Sequence, residues 1–427
     1  MHGDDALMQI KSKAFKRIFF LAKILLAMLL LFWVLSKAHW NDYVKTSKKN
    51  NHKSYVVIKK DNLSNASIST VKVQEGMLWW ARSLEISKSD IDPVDKTGKL
   101  IRKGVLSCVE TINIPMFIGA FVCYLIALIV TGARFTVLLK AQNIFIKFGK
   151  IIRLSFLGQF YNSVIPGTVG GDLVKAYYIN KHTRKTAEVL MSVFIDRLAG
   201  LINFSLVAAL TLTIAILFGL APLSQLKLAI VSATIAICLS GSIMLLILSP
   251  KFRKILRLER IYSKTSIAHH FAAAGNSTKI YREKPAVLAK VFGFTILNQF
   301  FVIGSCALLG LALNLQVPFW SYYLYIPLIF IIGAVPVTPG GVGIVENLYV
   351  KFFTLAAVGT VAPDVSLIIA FAMLARLVPI VLGIPGMWVV ATGLKIPNTD
   401  AIQAELDISE MNEEYEKSHL QSDSEES

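Results

Sequence analysis

The chain is poor in charge for its size and lacks the residue patterns that most enzymes and pumps depend on. Asp, Glu, Lys and Arg make up 17% of its 427 residues, where a soluble domain averages about 25%. Four cysteines (Cys108, Cys123, Cys238, Cys306) are no disulfide framework, and three of them lie in apolar runs, where a free thiol is a small hydrophobe. The sequence has no G-x-x-x-x-G-K-[ST] phosphate loop, no H-E-x-x-H, no paired Cys-x-x-Cys and no Gly-x-Ser-x-Gly. ATP-driven transport by this chain alone is therefore not expected. His269-His270 has no ligand spacing. No metal, cofactor or catalytic residue is assigned.

What is abundant is apolar surface. Hydrophobic residues form 55% of the chain and the mean hydropathy is +0.60. They cluster into runs of about 18 or more, the length that crosses a bilayer as a helix. The formal charge of +17 would suit nucleic acid, but the Lys and Arg flank apolar runs instead of covering one soluble domain. That placement follows the positive-inside rule and favours contact with anionic lipid. Nucleic acid is excluded as a partner, and the fold class is an all-α integral membrane protein.

The first apolar run, Ile18–Leu35, follows a basic start (Lys11, Lys13, Lys16, Arg17). It reads as a retained anchor, since Ser36-Lys37-Ala38 is a poor cleavage site. Residues 37–111 are polar and form the only segment large enough to fold outside the bilayer, as a small cap or partly ordered loop. Further spans are expected at Ile114–Leu139, from Thr186 to near Leu220, at about Leu226–Leu248, at Ala286–Leu313 and at Val365–Thr392. Residues 250–285 hold nine Lys/Arg against Glu259 and Glu283, a cytoplasmic marker. The tail is acidic, Ser-rich and expected to be disordered. The domain reading is 1–36 (N-terminus and first span), 37–111 (extracytoplasmic insertion), 112–393 (membrane domain) and 394–427 (tail). Both termini are placed in the cytoplasm at the inner membrane.

Two apolar pieces, Leu154–Ile165 and Tyr322–Val335, are too short to cross and end in matched breaks. These are Pro166-x-Thr168-x-Gly170-Gly171 and Pro336-x-Thr338-x-Gly340-Gly341. An acid follows each break, Asp172 or Glu346, and then an Arg-Leu inside an apolar helix, Arg197-Leu198 or Arg376-Leu377. The count is about six full spans plus two re-entrant segments entered from opposite faces, an inverted-repeat pattern that points to a transporter's binding site. Unwound backbone at membrane depth must face protein or water, and a helix starting after a Gly pair presents N–H groups that suit a phosphate. The alternative is that both breaks are turns that tighten the bundle.

Asp196, Arg197, Glu346 and Arg376 lie in or beside apolar stretches, where a charge requires a partner or a function. One reading pairs Arg197 with Asp172 and Arg376 with Glu346 to fasten the bundle. The other has the arginines binding a phosphate headgroup bidentately, with the acids as counter-ions. The two are compatible. Gln159, Asn162 and Thr168 line the same cavity or only cap and bridge helices. Lys175 greets an anionic headgroup or is an ordinary positive-inside residue. The candidate substrate-binding set is Asn162, Pro166, Thr168, Gly170, Gly171, Asp172, Lys175, Asp196, Arg197, Pro339, Gly340, Gly341, Glu346 and Arg376.

The run Gln159-Phe-Tyr-Asn-Ser-Val-Ile-Pro-Gly-Thr-Val-Gly-Gly-Asp-Leu-Val-Lys175, followed by Ser192-Val-Phe-Ile-Asp-Arg-Leu-Ala-Gly200, resembles the first signature of the lysylphosphatidylglycerol synthase transmembrane-region family, the flippase-like domain proteins. Pro339-Gly-Gly-Val-Gly-Ile-Val-Glu346 and Arg376 resemble its second. The resemblance implies movement of aminoacylated phospholipids, or related polar or polyprenyl-linked lipids, between leaflets. The soluble aminoacyl transferase domain of larger members is not found here, so lysyl transfer is not expected. The insertion at 37–111 and Lys175, where the family often has Arg, depart from the pattern. Membrane lipids with anionic or phosphate headgroups are the expected partners. A lipid-modifying transferase using Asp172 or Glu346 as base, and a scaffold for a lipid-modifying enzyme, are the competing readings.

Overall fold

The computed structural model describes residues 22, 25–26, 28–45, 54–57, 70–75, 82–87, 90–91, 101–164, 170–183, 185–248, 281, 284–335, 337–356 and 363–391. Part of the first apolar run, the basic loop around His269-His270 and the acidic tail therefore lie outside the described residues. So do Pro166, Thr168 and Pro336 of the breaks.

Segments that must satisfy every backbone amide without water become helices. Four short strands, β1 (Tyr43–Lys45), β2 (Ser54–Val57), β3 (Thr70–Glu75) and β4 (Arg82–Ser87), precede a short helix α1 (Val105–Glu110). The apolar sequence then gives α2 (Ile114–Ala141), α3 (Phe148–Val164), α4 (Gly170–Thr183), α5 (Thr186–Leu217), α6 (Leu223–Leu248), α7 (Pro285–Ala312), α8 (Phe319–Gly333), α9 (Ile344–Leu355) and α10 (Val365–Ala391). Among the described residues, five of these helices (α2, α5, α6, α7 and α10) are long and apolar enough to cross a membrane. The sixth expected span is represented by a described helical stretch at 28–35. Several helices stop by the same local device. Asn143, Asn314 and Gly219 sit at φ of 56°, 56° and 59° just past α2, α7 and α5. The next N–H in each case bonds back to Leu139, Gly310 or Ala215, a left-handed cap that closes the orphan carbonyls.

The chain divides into two compact units. The first comprises Met1–Phe121, Leu210–Val231 and Ile303–Leu377. Its interior is a cluster of fully buried aromatic rings on α8, α9 and α10: Tyr322, Tyr325, Tyr349, Phe352, Phe353 and Phe371. Their centroids lie 5.2–6.1 Å apart, in tilted, edge-on and stacked pairs. This unit also holds the insertion, which folds as an antiparallel sheet in the order β1-β2-β3-β4. Val44, Val73 and Ile91 form its small core. The sheet is closed at its neck, where Tyr43 and Arg102 exchange both backbone hydrogen bonds at 2.8 and 2.9 Å. Asp364, just before α10, accepts from the Tyr43 hydroxyl at 2.6 Å and from the Ser366 N–H at 3.0 Å, and Arg102 lies 3.5 Å away.

The second unit comprises Val122–Ala209, Ser232–Val302 and Val378–Ser427. Its core is built from α2, α3, α4, α5 and the start of α7, around Leu138, Leu139, Ile151, Leu157 and Val189. Glycine allows the closest helix contacts. A Cβ on Gly383 or Gly386 of α10 would strike the backbone of Phe160 or Phe156 on α3, the small-residue packing that lets membrane helices approach.

Candidate functional site

The two breaks become two helical hairpins, one in each unit. In the first, α3 and α4 run antiparallel, so that Asn162 faces Gly171 and Gly158 faces Lys175. The apolar piece at 154–165 proves to be the second half of a longer helix starting at Phe148, which carries Lys150 and Arg153 at its base. The chain after the Gly pair is helical through Thr183. Any side chain on Gly171 would collide with the Gly158 carbonyl. The Asn162 side-chain oxygen accepts the Gly171 N–H at 2.9 Å, occupying one orphan donor of the α4 start. Asn162 thus caps a helix.

Asp172 stands in the first turn of α4, where an acid also suits the helix dipole. Its carboxylate is buried and holds two cations: Lys175 Nζ at 3.0 Å from Oδ1, and Arg197 of α5, whose Nε donates to Oδ2. Lys175 is buried, its stem against Gly158 and its ammonium 5.9 Å from the Phe135 ring centroid. Of the residues in the candidate set, Lys175 is thus paired inside the hairpin and does not face solvent. The formal charge of Asp172, Lys175 and Arg197 is −1 + 1 + 1, a surplus of one positive. Asp196, the neighbour of Arg197, belongs to a different cluster. Arg134 of α2 grips it with both prongs, Nε to Oδ1 at 2.7 Å and Nη2 to Oδ2 at 2.8 Å, and donates Nη1 to Thr295 at 3.2 Å.

In the second hairpin, α8 and α9 also run antiparallel, from Gly333 against Val345 to Tyr322 against Phe353. The turn holds Gly340, Gly341 and Gly343 at φ of 61°, 66° and 82°, a left-handed path that other residues take only with strain. Pro339 opens its one-turn 3-10 segment. Thr338 donates its hydroxyl to the Val342 carbonyl at 3.0 Å, which ties the turn internally. Glu346, in the first turn of α9, accepts the Gly343 N–H at 2.7 Å on Oε2 and Arg376 Nε at 2.6 Å on Oε1. Arg376 Nη1 also reaches the Gly340 carbonyl at 3.1 Å.

The two half-sites share one chemistry. In each, a helix starts at or just after a glycine, the first-turn acid is buried, and a span arginine binds that acid through Nε. The carboxylate side chains of Asp172 and Glu346 are 12% and 5% exposed, whereas Arg197 and Arg376 are 35% and 31% exposed. Both pairings weighed in the sequence are present, and Asp196 stands apart from them. Arg134 was missed in the sequence. An arginine inside an apolar run of this length was the available signal.

Fold and half-sites together define a multi-pass helical membrane protein with two glycine-broken hairpins. Residues 102–388 match the model of a family described as lysylphosphatidylglycerol synthase TM region, and the chain belongs to that family. A relative in Pyrococcus horikoshii, named a UPF0104 membrane protein, is 26% identical over 322 residues, covering 71% of this chain and 88% of the relative.

Proposed function

We propose that the protein is a membrane lipid translocase that moves a polar lipid, phosphate-bearing or aminoacylated, between leaflets. The observation that carries this reading is the repeated arginine–acid pair, in which the acid is buried and the arginine side chain stays about a third exposed. An arginine held through Nε keeps its plane fixed, and a fixed guanidinium plane suits bidentate bonding to a phosphate.

In this reading the headgroup engages Arg197 and Arg376 in turn. The acids hold each arginine when the lipid has left, and the two hairpins act as the halves of an inverted repeat. The protein sits in the plasma (inner) membrane with both termini in the cytoplasm, and an enzyme that modifies the same lipid is the protein partner it implies. The competing reading, a lipid-modifying transferase, needs Asp172 or Glu346 as a base. Both carboxylates accept from arginine, and Glu346 also from a backbone N–H, which favours a holding role.

The test is a headgroup-accessibility assay in liposomes containing the purified protein, with labelled aminoacyl, anionic and polyprenyl-phosphate lipids. Leaflet exchange of one class, lost in an Arg197→Gln/Arg376→Gln variant that still folds, is the expected result. Exchange that survives the double substitution sinks the mechanism. Product formed from a labelled donor would favour the transferase.

A further inference from the structure

The first unit contains a second place shaped for a charged amphiphile, and it does not involve the arginine–acid pairs. A cavity of about 730 Å3 opens beside the sheet neck, within the range of about 300–1,000 Å3 that holds small ligands. Its apolar wall is Leu228 of α6 with Val350 and Leu355 of α9, and Lys37, Lys45 and Lys351 stand around it. Its lining includes no carboxylate. Two acids of the neck are already engaged: Asp364 by Tyr43, Arg102 and the Ser366 N–H, and Asp42 by the Gly104 N–H.

Two tryptophans fix the depth of this cavity. Trp33 and Trp40 bracket Lys37 in sequence and are 47% and 38% exposed. The Lys37 ammonium lies 3.3 Å from the Trp33 ring centroid. Exposed tryptophans at the end of an apolar run mark the headgroup level of a bilayer, where lysines also gather. This argument puts Lys37 at headgroup depth, and Lys45 and Lys351 line the same cavity with Leu228, Val350 and Leu355. Lys37 and Lys45 belong to a part of the chain outside the family match, which begins at residue 102. Leu228, Val350, Lys351 and Leu355 lie within that match.

We propose that this groove binds an anionic phospholipid, with its phosphate among Lys37, Lys45 and Lys351 and an acyl chain along Leu228, Val350 and Leu355. Charge complementarity selects the anionic headgroup, and the apolar wall selects a lipid over a soluble phosphate. The proposal requires the membrane setting and not translocation, so it stands or falls separately from the role of Arg197 and Arg376.

The full chain, purified in neutral detergent, is titrated with phosphatidylglycerol and with phosphatidylcholine of equal chain length, and bound lipid is read by native mass spectrometry. A lysine at the headgroup level strengthens hold on an anionic lipid about fivefold. Phosphatidylglycerol should be retained at least about tenfold better than phosphatidylcholine, and a Lys37→Gln/Lys45→Gln/Lys351→Gln variant should lose that preference. Lys103→Gln, which removes a lysine bonded to Thr111 at 3.0 Å outside the groove, should keep it. Thr354→Trp retains all three lysines but fills the groove, and should lower phosphatidylglycerol retention. Equal retention of the two lipids, survival of the preference in the triple variant, or an equal loss in Lys103→Gln would overturn the proposal. So would indifference to Thr354→Trp, or full competition by inorganic phosphate, which would assign a free-phosphate site.

Discussion

Glu346 divides its carboxylate between two duties: Oε2 accepts the Gly343 N–H at 2.7 Å, and Oε1 accepts Arg376 Nε at 2.6 Å. One side chain therefore sets both the entrance of α9 and the plane of an arginine on α10. Glu346→Ala removes both bonds and leaves a guanidinium without its counter-ion. We expect a loss of about 2–4 kcal/mol, toward the lower end because Arg376 keeps access to solvent. Glu346→Gln can still accept the N–H and should cost less. Thermal unfolding in detergent gives the comparison, and equal losses would show that the cap contributes nothing.

Arg134 and Asp196 form the most enclosed ion pair described here, with side chains 7% and 14% exposed. Removing one partner, in Arg134→Met or Asp196→Leu, strands the other and should cost about 3–5 kcal/mol. The double variant should recover much of that loss, because apolar residues replace a pair that was expensive to desolvate. A double-mutant cycle on unfolding measures the coupling. If this pair is structural, lipid exchange in any folded variant should be unchanged, unlike the Arg197 and Arg376 variants.

Gly171→Ala pushes α4 away from α3, since the new methyl group meets the Gly158 carbonyl. Overpacking of this kind costs about 1–3 kcal/mol. Gly241→Ala on α6 meets nothing within 4 Å and should leave the melting temperature equal or slightly higher. A matched drop in both variants would mean that glycine mobility, not the close approach, is what matters.

The sequence made the spans legible because a long apolar run has one stable outcome in lipid, a helix. The ends of α2, α5, α6, α7 and α10 fall within a few residues of the expectation. The breaks were legible for the opposite reason, since Pro and Gly interrupt runs that would otherwise continue. The sheet was not. Its strands are three to six residues long, and its closure pairs Tyr43 with Arg102 across the whole insertion, a relation that no local pattern carries. The partners of Lys175 and Asp196 were not legible, because charge placement says where a residue starts, not which partner it turns toward. Asp196 and Arg197 are adjacent, yet they sit in separate clusters on one helix.

His39 gives the sheet neck a pH dependence. Its ring stacks on Tyr43 at 3.8 Å, and burial lowers its pKa, with Asp364 opposing and Lys45 assisting. The unfolded imidazole takes up a proton near pH 6.5, and the folded one only at lower pH. The unfolded state therefore binds more protons in that window, so stability is full above about pH 6.5 and is lost as the pH falls. The Tyr43 phenol, raised well above its ordinary value mainly by burial, stays neutral throughout. The protection factors of the Tyr43 and Val57 amides, which correct for the slower intrinsic exchange in acid, should fall on acidification, and His39→Phe should flatten that response. A neck equally protected on both sides of the window would refute this.

The bonds between Tyr43 and Arg102 mean that residues 44–101 leave the membrane domain and return to it at a single point. The sheet is an exchangeable part: a shorter loop joined at Tyr43 and Arg102 would leave the helices in place and remove Lys45, and another sheet spliced there would give the same helices a different appendage.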